Sequence, residues 1–248
     1  MVLLFWLIGH VVMASGTGES FLKGDDGRTA GKNLYIVGLG DSLTKGTGDP
    51  EKRGGYLRFL KERLYSLDHV QSIKVANYGK KGLHSGQLFE VVSQYEKSFE
   101  KADLIIISIG GNDILKTVRD HFFSLSYSLF EEEQLKFSLR IAKLINDIRS
   151  INNEAFIIFV GLYNPFSNVR TFPEIKHVIQ LWNEGLKSVI SGYEHTKFVE
   201  ISDLFEACEN LLHVDRFHPN GYGYALIAQR IFHTLIGDES ILLGSRER

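Results

Sequence analysis

The sequence predicts an α/β fold in which a parallel β-sheet is covered by helices on both faces. Five short apolar segments alternate along the chain with five segments whose apolar residues recur at helical spacing. The strand segments are apolar throughout, which is typical of strands buried on both faces of a parallel sheet. The region from residue 33 onward shows neither an internal repeat nor a low-complexity stretch, so a single domain is predicted there.

The predicted strands and helices alternate along the chain. Strands are predicted at residues 34–37, 73–76, 104–109, 156–160 and 198–201. Helices are predicted in segments 57–67, 88–95, 141–148, 175–189 and 224–235. Strands that alternate with helices in this way form a three-layer αβα sandwich around a five-stranded parallel sheet.

The N-terminal segment differs from the rest of the chain. Residues 2–14 are almost entirely apolar, too few for a membrane helix of about 20 residues but enough for the apolar core of a signal peptide. Because neither Lys nor Arg precedes this run, a membrane anchor and a buried strand or helix stay open as alternatives. We therefore expect a signal peptide or anchor at 1–16, a flexible linker at 17–32, the domain at 33–238 and a tail at 239–248. The expected location is outside the cytoplasm, either secreted or held at a membrane by the N-terminal segment.

Composition excludes several classes of protein. The 248 residues include 28 Lys and Arg and 30 Asp and Glu, a formal net charge of −2, which gives no reason to expect a nucleic-acid partner. Cys208 is the one cysteine, so a disulfide within the chain is impossible, and a small apolar residue in a helix is its expected role. The histidines do not show the spacing of metal ligands, and neither a metal nor a cofactor is predicted. The oligomeric state stays open.

The segment after the first strand carries a candidate nucleophile, at the sheet edge where parallel sheets bind ligands. It reads GLGDSLT, residues 38–44. A dinucleotide-binding loop would need glycine where Leu43 stands, and the glycine-rich run before the strand lacks the lysine pattern of a phosphate-binding loop. Ser42 could instead be a nucleophile on a strand-to-helix turn, or simply a helix cap. The Gly-x-Ser-x-Gly pattern of many hydrolases is absent, because Thr44 replaces its last glycine.

Two further segments carry candidate hydrogen-bond donors. Residues 77–82 (NYGKKG) follow the second strand, and residues 110–113 (GGND) follow the third. The first segment could be an ordinary glycine turn, or could present a backbone N–H from Gly79 or Gly82 to a ligand. Asn112 could point its side-chain amide at the same place, or belong to a turn, with Asp113 capping a helix.

The last candidate segment, residues 215–219 (DRFHP), follows the fifth strand. Pro219 favours an extended conformation for His218 and suits the start of the closing helix. A neutral imidazole on a loop before a helix is a suitable general base. Asp215, three residues earlier, can reach back to His218 and fix its tautomer.

Taken together, the four segments resemble the GDSL/SGNH hydrolase family, whose pattern consists of a GDS block, a glycine block, a G-x-N-D block and a terminal D-x-x-H block. They occur here in the same order, and the resemblance spans residues 33–236. It implies the flavodoxin-like SGNH hydrolase fold. It also implies a serine esterase or lipase that acts on a small-molecule or lipid ester.

The resemblance implies a role for each candidate residue. Ser42 would attack the ester carbonyl and form an acyl-enzyme, and His218 would act as general base, oriented by Asp215. The oxyanion would be bound by the backbone N–H groups of Ser42 and Gly82 and by the Asn112 amide. In the glycine block, similarity favours Gly82 over Gly79.

The sequence is less informative about the substrate. Segments 121–130 and 163–173 are rich in aromatic residues and could line an acyl pocket or form a lid, or could simply pack over the sheet. Besides a lipase or lysophospholipase, a carbohydrate O-deacetylase on the same residues and a catalytically silent binding module are alternatives. The N-terminal apolar segment allows membrane association.

Overall fold

The computed structural model describes residues 31–165, 174–206 and 209–237. Its five parallel strands form one sheet in the order β2-β1-β3-β4-β5, which confirms the predicted flavodoxin-like α/β fold. The strands are β1 (Lys32–Gly40), β2 (Val70–Gly79), β3 (Leu104–Ser108), β4 (Phe156–Val160) and β5 (Thr196–Val199).

Helices connect the strands and close the domain. They are α1 (Ser42–Lys45), α2 (Tyr56–Tyr65), α3 (Leu88–Gln94), α4 (Glu96–Glu100), α5 (Gly111–Asp120), α6 (Tyr127–Ile151), α7 (Ile175–Ile190), α8 (Ser202–Glu206) and α9 (Gly221–Ile236). Short 3₁₀ turns occur at Ser85–Gln87 and Glu209–Leu211.

Both faces of the sheet are buried, which explains why the strands read as continuous apolar runs. In β3, Ile105 and Ile107 point into a core with α3, α6 and α7, whereas Ile106 points into a core with α2 and α9. Strand β4 divides its residues between the two cores in the same way. The result is the predicted sandwich of three layers.

The first two strands run further than the sequence predicted. Glycine and asparagine were expected to end β1 near Gly38 and β2 near Ala76. Parallel pairing nevertheless continues, and Gly40 lies beside Gly79 on one side and Ser108 on the other. Strands β1, β2 and β3 therefore end at the same level, and the segments that follow them start from one edge of the sheet.

Several helical regions lie outside the predicted helix segments, among them the short helices α4 and α8. Helix α5 occupies Gly111–Asp120, and α6 begins at Tyr127 instead of Ile141, so it includes the end of the aromatic segment 121–130. Asp113 lies within the first turn of α5, whose N-cap is Gly110, so the expectation that Asp113 caps this helix was wrong.

Several predictions lie outside the described residues: the signal peptide or anchor at 1–16, nearly all of the linker, the tail at 239–248, and the setting of Cys208. The predicted linker included residue 32, whereas in the structure strand β1 begins at Lys32. In the described part of the chain, no helix combines the length and apolar character needed to cross a bilayer.

Candidate active site

Ser42 lies at the turn between β1 and α1. The turn is tight because Gly40 has φ of +147° and a Cβ there would come within 2.1 Å of the Ser108 carbonyl oxygen. The backbone N–H of Asp41 donates to that same oxygen at 3.1 Å, and the Asp41 carboxylate accepts from the N–H of Leu43 at 2.9 Å. These contacts hold Ser42 at the carboxyl edge of the sheet, with its side chain almost fully buried.

His218 reaches Ser42 from the opposite end of the chain. Its Nε2 lies 2.9 Å from Ser42 Oγ, although the two residues are 176 positions apart. Its Nδ1 lies 2.7 Å from Asp215 Oδ2. The three side chains therefore form a continuous hydrogen-bonded chain from carboxylate to imidazole to hydroxyl, which is the geometry needed to withdraw a proton from the serine.

The loop that carries His218 is fixed by its own hydrogen bonds. Asp215 Oδ1 accepts from the backbone N–H groups of Phe217 and His218, each at 3.0 Å. The Tyr163 hydroxyl donates to the Phe217 carbonyl at 2.6 Å. Helix α9 begins only at Gly221, with Asn220 as its N-cap, so Pro219 precedes the helix instead of occupying its first position.

The environment of Asp215 keeps its carboxylate ionised. Partial burial raises its pKa, but hydrogen bonds from the His218 imidazole and from two backbone N–H groups outweigh burial and lower the pKa to about 2. A carboxylate that stays charged near neutral pH can stabilise an imidazolium beside it.

Asp41 has the opposite electrostatic behaviour. Burial raises its pKa to about 7, against the lowering effect of the Leu43 N–H and with a further increase from the negative charge of Asp113. A buried hydroxyl network lies beneath it, in which Thr44 Oγ1 is 2.6 Å from Ser108 Oγ and 2.7 Å from the Tyr56 hydroxyl. This network fixes the turn below Ser42.

The predicted oxyanion donors come from three segments that follow β1, β2 and β3. Within the described ranges, the backbone N–H groups of Ser42 and Gly82 donate to no protein acceptor. Gly82 is exposed, has φ of +79°, and leaves open space where a Cβ would stand. Asn112 lies in the first turn of α5 and uses one amide N–H to donate to the Leu83 carbonyl at 2.9 Å. This bond joins the glycine loop to α5.

An apolar groove opens beside Ser42 and His218 and is partly open to solvent. Its apolar walls come from α1, α5, α7 and the loops after β4 and β5. They consist of Leu43, Ile114, Leu115, Leu162, Tyr163, Pro165, Ile175, Ile179 and Phe217. Gly82 and Asn112 are not among the described residues that line it.

The two segments expected to shape the pocket behave differently. Tyr163 and Pro165 line the groove, whereas residues 166–173 are outside the described part of the chain. Among the described residues that line the groove, none comes from 121–130. Phe122 and Phe123 are instead exposed to solvent, and Phe130 is buried against Trp182.

Some residues of the site were not singled out from the sequence. Ile114 and Leu115 belong to α5, which was not predicted, while Ile175 and Ile179 were predicted only as part of an apolar helix face. The spacing of that face shows that these side chains are buried, but it cannot show that they border the serine. No group of three His, Cys, Asp or Glu side chains that could hold a metal ion occurs among the described residues.

A family model and several known proteins match this chain. A model of the GDSL-like lipase/acylhydrolase family matches residues 39–226. The chain is 35% identical to YpmR, an uncharacterized protein of Bacillus subtilis, over 82% of each chain. It is 22% identical to the spore germination lipase LipC of Bacillus licheniformis, over 80% of this chain and 94% of the relative.

Solved structures show the same fold at lower identity. The lipase Lip_vut3 from a goat rumen metagenome superposes with a TM-score of 0.71 at 24% identity, covering 80% of this chain and 95% of that one. A second solved structure is a variant of Axe2, an acetyl-xylooligosaccharide esterase from Geobacillus stearothermophilus. It superposes with a TM-score of 0.63 at 20% identity, covering 88% of this chain and 99% of that one.

Proposed function

The chain belongs to the GDSL-like lipase/acylhydrolase family and is a serine ester hydrolase, and from that premise we propose that it cleaves acyl esters through an acyl-enzyme on Ser42. The observation that carries this proposal is the 2.9 Å approach of Ser42 Oγ to His218 Nε2, with Asp215 on the other imidazole nitrogen.

The reaction begins when Ser42 Oγ attacks the ester carbonyl and His218 Nε2 accepts the hydroxyl proton. The resulting imidazolium is stabilised by the Asp215 carboxylate, whose pKa of about 2 keeps it charged. His218 then gives the proton to the departing alcohol oxygen, which leaves the acyl group on Ser42. Water, activated by the same imidazole, hydrolyses the acyl-enzyme and restores the serine.

The negative charge that develops on the carbonyl oxygen is proposed to be bound by the backbone N–H groups of Ser42 and Gly82 and the amide of Asn112. The free N–H groups of Ser42 and Gly82, and the bond that ties Asn112 to the glycine loop, support this assignment. Donors that are fixed before the reaction stabilise the transition state without reorganising during it.

The groove suggests the class of substrate. Its walls are mainly aliphatic and aromatic, which suits contact with the hydrocarbon chain of an acyl group. Each CH₂ group buried there contributes about 0.8 kcal/mol of binding free energy. We therefore propose esters with medium or long acyl chains, as in lipases or lysophospholipases. The name of the relative LipC is consistent with this choice.

The test is a series of p-nitrophenyl esters from acetyl to dodecanoyl, assayed with the wild-type protein and with Ser42→Ala. We expect kcat/KM to rise with chain length up to about octanoyl, and Ser42→Ala to abolish turnover of every ester. A preference for acetyl would contradict the acyl groove and favour a carbohydrate O-deacetylase. If Ser42→Ala kept the activity of the wild type, Ser42 would not be the nucleophile. If a fluorophosphonate did not label the wild-type protein, the chain would instead be a catalytically silent binding module.

We further propose that the protein acts outside the cytoplasm, on the basis of the apolar segment at residues 2–14. The same segment is the one part of the chain that we propose could associate with a membrane. Mass spectrometry of the protein recovered from medium and from membranes would distinguish a cleaved signal peptide from a retained anchor.

A further inference from the structure

A buried polar cluster lies on the side of α5 that faces away from the acyl groove. The Asp113 carboxylate, 8% exposed, accepts from the backbone N–H of Ser85 at 3.0 Å and from the Ser85 hydroxyl at 2.5 Å. Arg140, on α6, donates from Nε to Ser85 Oγ at 2.7 Å and from a terminal nitrogen to Asp113 Oδ1 at 3.3 Å. The three side chains thus join α5, α6 and the segment after the glycine loop.

The cluster links the glycine loop, which carries Gly82, to the start of α5, which carries Asn112. Asp113 directly follows Asn112, and Ser85 is three residues after Gly82. A second link runs parallel to the first, since the Asn112 amide donates to the Leu83 carbonyl. Any shift of Ser85 relative to Asp113 would therefore change the distance between Gly82 and Asn112.

Arg140 also balances a charge. In the described part of the chain, it is the one cation within ion-pair distance of Asp113. The lysines nearby are engaged elsewhere, Lys116 with Asp120 and Lys136 with Glu132 and Glu133.

An uncompensated carboxylate next to Asn112 would oppose the negative charge that develops on the substrate. The negative charge of Asp113 also adds to the rise in the pKa of Asp41, whose main cause is burial. A guanidinium that binds the same carboxylate reduces this repulsion.

We propose that Arg140 is a positioning residue for ester hydrolysis: through Ser85 and Asp113 it fixes the spacing of the oxyanion donors, and it neutralises the carboxylate beside them. This inference rests on the proposed function, because it presupposes that Gly82 and Asn112 bind the oxyanion. It adds a residue on α6 that touches neither the substrate nor the proposed catalytic side chains.

The first experiment compares Arg140→Met and Arg140→Lys with the wild type on one p-nitrophenyl ester. Misplaced donors weaken binding of the transition state more than binding of the substrate. We expect Arg140→Met to lower kcat roughly 10- to 100-fold with little change in KM, below the roughly 10²–10³-fold loss expected when a donor is removed in Asn112→Ala. Arg140→Lys, which keeps the charge, should recover part of the loss.

The control is Arg230→Met, which removes an arginine of similar exposure (36% against 31%) from an ion pair with Asp203 on α8. Arg140→Met and Arg230→Met are also unfolded in urea, so that a loss of folded protein is not mistaken for a loss of kcat. If Arg140→Met keeps the kcat of Arg230→Met, the inference is overturned.

The second experiment is the double variant Asp113→Asn with Arg140→Met. Asparagine keeps an acceptor for the Ser85 N–H and removes the charge that Arg140 would otherwise balance. We expect the double variant to have a higher kcat than Arg140→Met alone, and a kcat equal to or below that of Arg140→Met would overturn the inference. Ser42→Ala separates the two proposals: activity in Ser42→Ala defeats the proposed function, whereas an inactive Ser42→Ala with a fully active Arg140→Met defeats only the role of Arg140.

Discussion

At the scale of single residues, Asp41 and Asp215 show how position determines the charge of a carboxyl group. Asp215 is partly exposed and accepts several hydrogen bonds, which lower its pKa to about 2. Asp41 is buried beside the nucleophile, and burial raises its pKa to about 7. Near neutral pH, Asp215 is therefore charged while Asp41 is divided between its two forms.

The raised pKa of Asp41 makes stability depend on pH. The folded state binds a proton here more tightly than the unfolded chain, so the contribution of Asp41 to stability is most favourable below about pH 4 and is lost as the pH rises to about 7. A change in pKa from 3.8 to about 7 corresponds to roughly 4 kcal/mol. In Asp41→Asn, the side-chain oxygen can still accept from the N–H of Leu43, but the group no longer titrates.

We therefore expect the free energy of unfolding of Asp41→Asn, relative to the wild type, to increase between pH 4 and pH 7 and to stay constant above. Urea unfolding of both proteins at matched pH values measures this difference, in which the other titrating groups cancel. A difference that does not vary between pH 4 and pH 8 would show that Asp41 titrates as it does in the unfolded chain.

Sequence reasoning reached some residues of the site and not others. Ser42, Asp215 and His218 could be identified because each follows a predicted strand and has a side chain suited to the chemistry, and the structure brings the three into contact. Arg140 could not be identified, because its partners Ser85 and Asp113 lie 55 and 27 positions away and only the packing of α5 against α6 brings them together.

At the scale of elements, the predicted strands and the missed helix have a common explanation. Strand β4 is apolar throughout because it is buried on both faces. Helix α5 buries Asp113, Ile114 and Thr117, so two of its three buried side chains are polar and apolar residues do not mark its buried face. Buried polar groups satisfied by partners elsewhere in the chain are invisible to a pattern of hydrophobicity.

Helix α5 also allows a test of the acyl groove. Leu115 lines the groove and is 38% exposed, so replacing it does not disturb the core. Leu115→Asn keeps a similar size but puts a polar amide where a long acyl chain would lie. Losing this contact should cost about 1.5 kcal/mol, or roughly a tenfold fall in kcat/KM for octanoyl esters, with little effect on acetyl esters.

The matched control is Leu139→Asn, at an exposed position of α6 that is not among the described residues lining the groove. It should leave the acetyl-to-octanoyl ratio of kcat/KM at the wild-type value. An equal loss for acetyl and octanoyl esters in Leu115→Asn would mean that the groove does not hold the acyl chain.

At the scale of the whole molecule, the site is formed where the two ends of the domain meet. Ser42 follows the first strand and His218 precedes the last helix, yet helices α2 and α9 pack against each other below them. The Tyr224 hydroxyl donates to the Thr47 carbonyl at 2.7 Å, which ties α9 to the loop after α1. Helix and strand periodicity alone could not predict the order of the strands, or that Ser42 and His218 lie together. Both were predicted from the rule that parallel sheets bind ligands at the carboxyl ends of their strands and from the family resemblance.

Because the two cores share strands β1, β3 and β4, we expect them to unfold together. Trp182 is buried in the core with α6 and α7, whereas activity depends on the junction of the first and last elements.

In a Trp6→Phe background, Trp182 is the one remaining tryptophan and reports on its core alone. Fluorescence and residual esterase activity should then be lost at the same urea concentration. Activity lost at clearly lower urea, while Trp182 stays buried, would instead show that the junction between the N- and C-terminal elements opens before the sheet does.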